Sequence, residues 1–292
     1  MRNLNAQNIT DAVIEAFSKC PDERLKTVLD SLVEHLHAFI REVEPSEREW
    51  TQAIDFLTRT GHMCDDQRQE FILLSDTLGV TMLVDAINHH SSNPKVSEST
   101  VLGPFYVADP PMVAQGESID WNVEGEPFYV EGKVHDESGQ PLANVVVDVW
   151  QSDSEGFYDV QKELEGASLR ARFSTDAEGR YAFWTVTPSP YPIPTDGPVG
   201  KMLEATGRHP YRPAHVHFML MAEGFDTLVT QVFAEGDPYL DSDAVFGVKD
   251  SLVMDYTSLP PGPAPDGRSM NVPFRHLKYD FGLKSSSKAN TV

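Results

Sequence analysis

Ten histidines are spread along this sequence of 292 residues, and two of them stand where they could share a metal ion. His215 and His217 lie in the run Arg212-Pro213-Ala214-His215-Val216-His217-Phe218-Met219-Leu220, which has strand character. Alternate side chains of a strand occupy one face. Both imidazoles therefore point one way, and Val216, Phe218 and Leu220 point the other way into an apolar layer. Two imidazoles on one face are the beginning of a transition-metal chelate. His35 and His37 have the same spacing and serve as a control. They lie in a helical run, where two residues of separation turn side chains about 200° apart, and they read as solvated surface. His89 and His90 close another helical run, where a cation suits the C-terminal end of the helix dipole.

Two histidines do not complete a site. The only cysteines are Cys20 and Cys64, too few for a thiolate cluster or a disulfide scaffold. A carboxylate would complete a zinc or ferrous site, and with 45 Asp and Glu in the chain none stands out. Tyrosine is the other option. Its phenol, with an ordinary pKa of about 10, ligates as phenolate beside a strong Lewis acid such as ferric iron. Two of the nine tyrosines have unusual settings. Tyr158 ends Gly156-Phe157-Tyr158, in the loop after a strand that closes at Trp150. Tyr191 sits in Pro188-Ser189-Pro190-Tyr191-Pro192-Ile193-Pro194, where the prolines stiffen the backbone around it. By composition alone that run reads as a rigid surface crossing. A zinc hydrolase built on His215 and His217 stays open at this point. So does a non-enzymatic β-sandwich carrier or adhesion module in which these Tyr and His residues are structural.

The elements that must position these residues fall into two halves of different periodicity. From Pro21 to Val43, Leu25, Val28, Leu29, Leu32, Leu36, Phe39 and Ile40 recur at three and four residues, an amphipathic helix. Ser46 and Glu49 form a candidate capping box for a second helix carrying Trp50, Ile54 and Phe56. A third helix is expected from about Asp66 to Asn88, with Phe71, Leu74, Leu78, Met82 and Ile87. After His90 the pattern changes. Phe128–Val134, Val145–Trp150, Tyr181–Val186, Val216–Met221 and Leu228–Phe233 read as strands separated by turn signals such as Asp136-Glu137-Ser138-Gly139. Helices segregated before strands predict an α+β chain: a helical region over 1–100, then an antiparallel β-sandwich over 101–292.

Lys and Arg number 23 against 45 Asp and Glu, a net charge of −22. That excludes nucleic acid as a natural partner and disfavours anionic lipid surfaces, both of which need clustered positive charge. No apolar run reaches the roughly 18–20 residues of a membrane span, and the first residues lack a signal-peptide core. A cytoplasmic, reduced protein is expected, with no insertion into a membrane. The apolar helical stripes exceed what one sandwich face would cover, which points to a homodimer.

Taken in order, Leu102-Gly103-Pro104-Phe105-Tyr106, Val149-Trp150 leading to Gly156-Phe157-Tyr158, Tyr191-Pro192-Ile193-Pro194 and Arg212-Pro213-Ala214-His215-Val216-His217 resemble the intradiol dioxygenases, the catechol 1,2-dioxygenase family. The likeness covers nearly the whole chain, and it implies that the helical region over 1–100 is a linker and dimerisation region and that the sandwich over 101–292 is the catalytic domain. It implies that Tyr158, Tyr191, His215 and His217 bind one Fe(III) per subunit, that Arg212 and Gln231 are catalytic residues beside it, and that Tyr191 can accept a substrate proton as a general base. The substrates it implies are a small aromatic diol or triol and O2, and it adds a possible phospholipid at the dimer interface.

Within that family, Leu73-Leu74-Ser75-Asp76-Thr77-Leu78-Gly79-Val80 most resembles the hydroxyquinol-cleaving branch. The resemblance places Leu73, Asp76, Leu102, Gly103, Pro104, Phe105, Ile193, Pro194, Arg212 and Val245 around the substrate. Asp76 would accept a hydrogen bond from the third hydroxyl of 1,2,4-trihydroxybenzene, which plain catechol lacks. The expected reaction is cleavage of hydroxyquinol to maleylacetate through 3-hydroxy-cis,cis-muconate. A catechol or chlorocatechol 1,2-dioxygenase is the alternative within the family.

Overall fold

The structure, a computed structural model, describes residues 2–65, 68–121, 123–162 and 167–286. The chain separates into two compact units, Met1–Arg59 and Thr60–Val292. The first unit holds helices α1 (Ile9–Ala16), α2 (Glu23–Val43) and most of α3 (Glu47–His62). Asp22 caps α2 by accepting a hydrogen bond from the Leu25 amide at 2.9 Å. Ser46 and Glu49 form the reciprocal box expected of α3: the Ser46 amide donates to Glu49 Oε2 at 2.8 Å and the Glu49 amide to Ser46 Oγ at 3.3 Å. The apolar stripe of α2 faces outward, with Leu25, Leu32, Leu36 and Phe39 all exposed and no residue of the helix buried. His35 is exposed as expected. His37 departs from a solvated role, because α1 packs on α2 and brings Thr10 Oγ1 to 3.0 Å from His37 Nδ1.

The second unit begins with a correction. The single helix expected from about Asp66 is two, α4 (Glu70–Thr77) and α5 (Val80–Asn88), and Asp66 itself lies outside the described residues. Gly79 adopts φ +72, a left-handed conformation that glycine enters at little cost and that ends α4. Both helices belong to the compact unit that contains the sheets.

The strands are β1 (Pro127–His135), β2 (Val146–Gln151), β3 (Arg170–Ser174), β4 (Arg180–Val186), β5 (Tyr191–Pro192), β6 (Tyr211–Arg212), β7 (His215–Met221), β8 (Leu228–Ala234), β9 (Val253–Met254), β10 (Thr257–Leu259), β11 (Gly262–Pro263), β12 (Ser269–Met270), β13 (Phe274–Lys278) and β14 (Phe281–Gly282), with α6 (Pro198–Ala205) between β5 and β6. One sheet runs β3-β2-β7-β8-β9; the other runs β10-β13-β1-β14, with β4 also paired to β1. The long ladders are antiparallel as expected, while β9, β13 and β14 join their neighbours in parallel. Between the sheets lies the main core, in which Phe128, Val130, Val147, Val149, Val216, Phe218, Leu220 and Val232 are all fully buried. No helix of the described residues is long and apolar enough to cross a membrane.

Candidate metal centre

The strand alternation that sends Val216 and Phe218 into the core turns His215 and His217 to the opposite face of their sheet. Register then fixes their neighbours. Trp150 on β2, His217 on β7 and Gln231 on β8 stand in one row across three strands, and His215 faces Phe233 in the next. Trp150 stacks on His217, with centroids 4.6 Å apart and planes 11° from parallel. Both imidazoles are 1% exposed.

His215 donates Nδ1–H to the Pro213 carbonyl at 2.6 Å. A carbonyl can only accept, so this bond selects the tautomer with a bare Nε2. That nitrogen lies 3.0 Å from His217 Nε2, which in turn lies 3.1 Å from the hydroxyl of Tyr158. Burial, reinforced by Arg212, lowers the His215 pKa to about 3. Burial, His215 and Arg212 hold His217 well below the usual range as well. Both rings are neutral at pH 7, with lone pairs available to a cation.

The two phenols arrive from different loops. Asp153 closes the turn that carries Tyr158, accepting from the amides of Glu155 at 2.8 Å and Phe157 at 2.9 Å. Gly156 sits at φ +86, and a side chain there would meet the Pro190 carbonyl at 3.0 Å and Tyr191 Cβ at 3.1 Å. The turn can press against Tyr191 only because that residue is glycine. Tyr191 itself is held by the β5–β6 pairing, directly opposite Arg212. The two rings meet edge to face with centroids 5.2 Å apart, and Tyr191 lies 5.5 Å from the ring of His215. Both phenols are buried, and among the described residues the Tyr191 hydroxyl finds no hydrogen-bond partner. Burial and the neighbouring Tyr191 push the Tyr158 phenol well above its ordinary pKa. A multivalent cation beside it would reverse that preference and hold it as phenolate.

Arg212 is 2% exposed. Its Nε and Nη2 bond both carboxylate oxygens of Asp243 at 3.0 and 3.1 Å, and Nη2 also donates to Gln231 Oε1 at 2.7 Å. Gln231 is anchored in turn by donating to the Val101 carbonyl at 2.6 Å. Asp243 was not singled out from the sequence. It is one acidic residue among 45, in a segment that reads as an ordinary turn.

The expected pocket residues sort unequally. Leu73, Ile193 and Val245 meet in one buried apolar cluster with Val101, Val199 and Leu203. Glu70 on α4 helps assemble it by accepting from the Val199 amide at the start of α6, at 3.2 Å. Phe105 stacks on Tyr158 with centroids 4.5 Å apart, and a side chain at Gly103 would stand 3.2 Å from His217. Leu102 and Pro104, on the same segment, are exposed, and Pro194 is half-buried. Asp76 is not a solvent-facing helix residue: it is 3% exposed, and its Oδ1 has no hydrogen-bond partner among the described residues. Burial pushes its carboxyl up, against the pull of Thr81 and Arg212, and nearby Asp243 adds to the push.

Among the described residues no group of three or more His, Cys, Asp or Glu is arranged to hold a metal. The side chains that converge here are two neutral imidazoles and two buried phenols, a donor set that suits a hard trivalent ion better than zinc.

A family model described as Dioxygenase matches residues 101–285, and one described as Catechol dioxygenase N terminus matches residues 22–95. A hydroxyquinol 1,2-dioxygenase of Rhodococcus opacus is 54% identical over 267 residues, covering 90% of this chain and 88% of that protein. The crystal structure of hydroxyquinol 1,2-dioxygenase from Pseudomonas putida DLL-E4 superposes with a TM-score of 0.90 at 46% identity, covering 96% of this chain and 99% of that one. Catechol 1,2-dioxygenase from Pseudomonas arvilla C-1 superposes with a TM-score of 0.82 at 30% identity, covering 99% of this chain and 94% of that one.

Proposed function

The chain belongs to the intradiol ring-cleavage dioxygenases, and from that premise we propose that it opens hydroxyquinol with O2 at a ferric centre held by Tyr158, Tyr191, His215 and His217. The observation that carries this reading is the convergence of those four side chains, all but sealed from solvent, beside Arg212. One Fe(III) per subunit, when bound, would supply the Lewis acidity that makes an aromatic diol reactive toward O2. The protein's own groups do the rest. Tyr191 would be held as phenolate while it ligates the ion, and its Oη would then accept a proton from the incoming diol and leave as the neutral phenol. Arg212, locked by Asp243 and Gln231, meets negative charge developing on the ring oxygens. Leu73, Ile193 and Val245 exclude water from the ring face, which strengthens each polar contact there. Asp76 Oδ1 supplies the acceptor for the third hydroxyl, and plain catechol would leave that oxygen unpaired. The product is 3-hydroxy-cis,cis-muconate, which tautomerises to maleylacetate.

In this reading the enzyme is a cytoplasmic homodimer. The exposed apolar residues of α2 support the dimer, and a phospholipid chain could fill part of that apolar interface. The deciding experiment compares O2 uptake with hydroxyquinol, catechol and 4-chlorocatechol, with iron measured on the same sample. Hydroxyquinol should be turned over fastest. Faster cleavage of catechol would overturn the substrate and leave the reaction class standing, while full zinc occupancy without O2 uptake would overturn both.

A further inference from the structure

A guanidinium carries five N–H groups, and among the described residues three of those of Arg212 make hydrogen bonds of 3.1 Å or less. Nε–H goes to Asp243 Oδ1, and Nη2 serves Asp243 Oδ2 and Gln231 Oε1. The two on Nη1 remain, and the contact this nitrogen makes is with His215 Nε2, at 3.4 Å. Which edge of the guanidinium faces the centre is thus decided by what grips the opposite edge. Resting on the function proposed above, we infer that Asp243 is a positioning residue for ring cleavage: its two-oxygen grip turns the Nη1 edge of Arg212 toward the bound diol and keeps it there.

Three observations carry this. The first is burial: both side chains of the pair are 2% exposed, so neither has water as an alternative partner. The second is that the grip is itself held. The Gly247 amide donates to Asp243 Oδ2 at 2.9 Å and the Val245 amide to Oδ1 at 3.4 Å. Thr100 Oγ1 donates to the Gly247 carbonyl at 2.7 Å, and Arg208 donates to the carbonyls of Ala244 at 2.9 Å and Thr77 at 2.7 Å. The segment 243–247 is thereby fastened to the run 100–103, whose Gly103 lies against His217, and to the end of α4. The third is lack of slack. A single carbon added at Gly247 would stand 2.8 Å from Arg212 Nη2 and 3.2 Å from Asp243 Oδ2. Two-point binding also suppresses the rotamer freedom of a long side chain that would otherwise sample several directions. A consequence concerns charge. The buried pair is close to neutral as a unit, so what it presents to substrate is two aimed N–H groups more than a free cation.

The test uses the iron-loaded full chain as wild type, Asp243→Asn, Asp243→Glu and Gly247→Ala. Each is titrated anaerobically with hydroxyquinol at the visible tyrosinate band, alongside kcat, KM, iron content and Tm. Asp243→Asn should keep its iron and resting spectrum but bind the diol about ten-fold more weakly and lose about ten- to hundred-fold in kcat/KM. Asp243→Glu should recover part of this, and Gly247→Ala, which keeps the charge and displaces the guanidinium, should shift the titration the same way by less. If Asp243→Asn fails to fold, Gly247→Ala decides: weaker binding at an unchanged Tm supports the inference, and binding within about twofold of wild type overturns it. Loss of iron and Tm in Asp243→Asn with normal titration of Gly247→Ala would reduce Asp243 to a structural prop and sink the proposal. A wild-type band unmoved by any diol would overturn the parent function. A normal wild type with unaffected variants would overturn this inference alone.

Discussion

The outer face of α2 and the outer face of β7 invert the usual distribution of residues in opposite ways. On α2, Leu25, Leu32, Leu36 and Phe39 are 48%, 55%, 50% and 56% exposed. On β7 and its neighbours His215, His217, Arg212 and Gln231 are all but fully buried. Each arrangement costs free energy in isolation: roughly 25 cal/mol for each Å2 of apolar surface left in water, and several kcal/mol for each buried polar group without a partner, by order of magnitude. What relieves the two costs differs. Apolar burial is non-directional and is satisfied by any complementary surface. The buried polar cluster is satisfied only when lone pairs and N–H groups meet partners at fixed distances. The helical face should therefore tolerate substitution in its chemistry, and the sheet face should tolerate almost none.

The largest test of that contrast is to remove a donor. Tyr158→Phe or His217→Ala should lower turnover by about 10³-fold or more together with a fall in bound iron, read by O2 uptake and metal analysis. Retention of both would show that the polar cluster is only structural. Next, Asp76→Leu should lower the preference for hydroxyquinol over catechol by about 10²-fold, since the apolar variant no longer penalises the missing hydroxyl; the ratio of kcat/KM values checks it. On the other face, Leu32→Glu with Leu36→Glu should weaken self-association by at least about ten-fold while kcat/KM stays within about threefold of wild type. Sedimentation and steady-state assays on the same sample measure both. A loss of activity as large as that of Tyr158→Phe would mean that the two regions are not separable.

The smallest effect concerns stability. Burial raises the Asp76 carboxyl above its ordinary 3.8, so with rising pH the unfolded chain ionises first and the native state loses stability from that point up through the folded pKa. Asp76→Asn removes the ionisation. Its Tm should exceed wild type by roughly 2–4 °C at pH 7, and the gain should vanish below about pH 3.8. A gain that persists in acid would assign the effect to packing instead of charge.

Much of this is legible in the sequence alone, because the signals are periodic or local. Alternation along β7 put His215 and His217 on one face and Val216, Phe218 and Leu220 on the other. Spacing in α2 drew its apolar stripe, and Ser46 with Glu49 marked the start of α3. Less visible were features that two segments make together. Gly79 looked compatible with a continuous helix until its positive φ ended α4, and His37 read as solvent-facing until α1 folded onto it.

Local residue order, then, determined the strand and helix pattern and which way the two imidazoles face, since side-chain direction follows from backbone periodicity alone. The family resemblance had already named Tyr158 and Tyr191; only the tertiary structure decided how closely they approach the imidazoles, that Tyr191 pairs with Arg212 and His217 with Gln231, and that Asp243 grips the arginine. Those residues are brought together by strand register and loop closure between distant parts of the chain, and no repeat within any one segment encodes such a meeting.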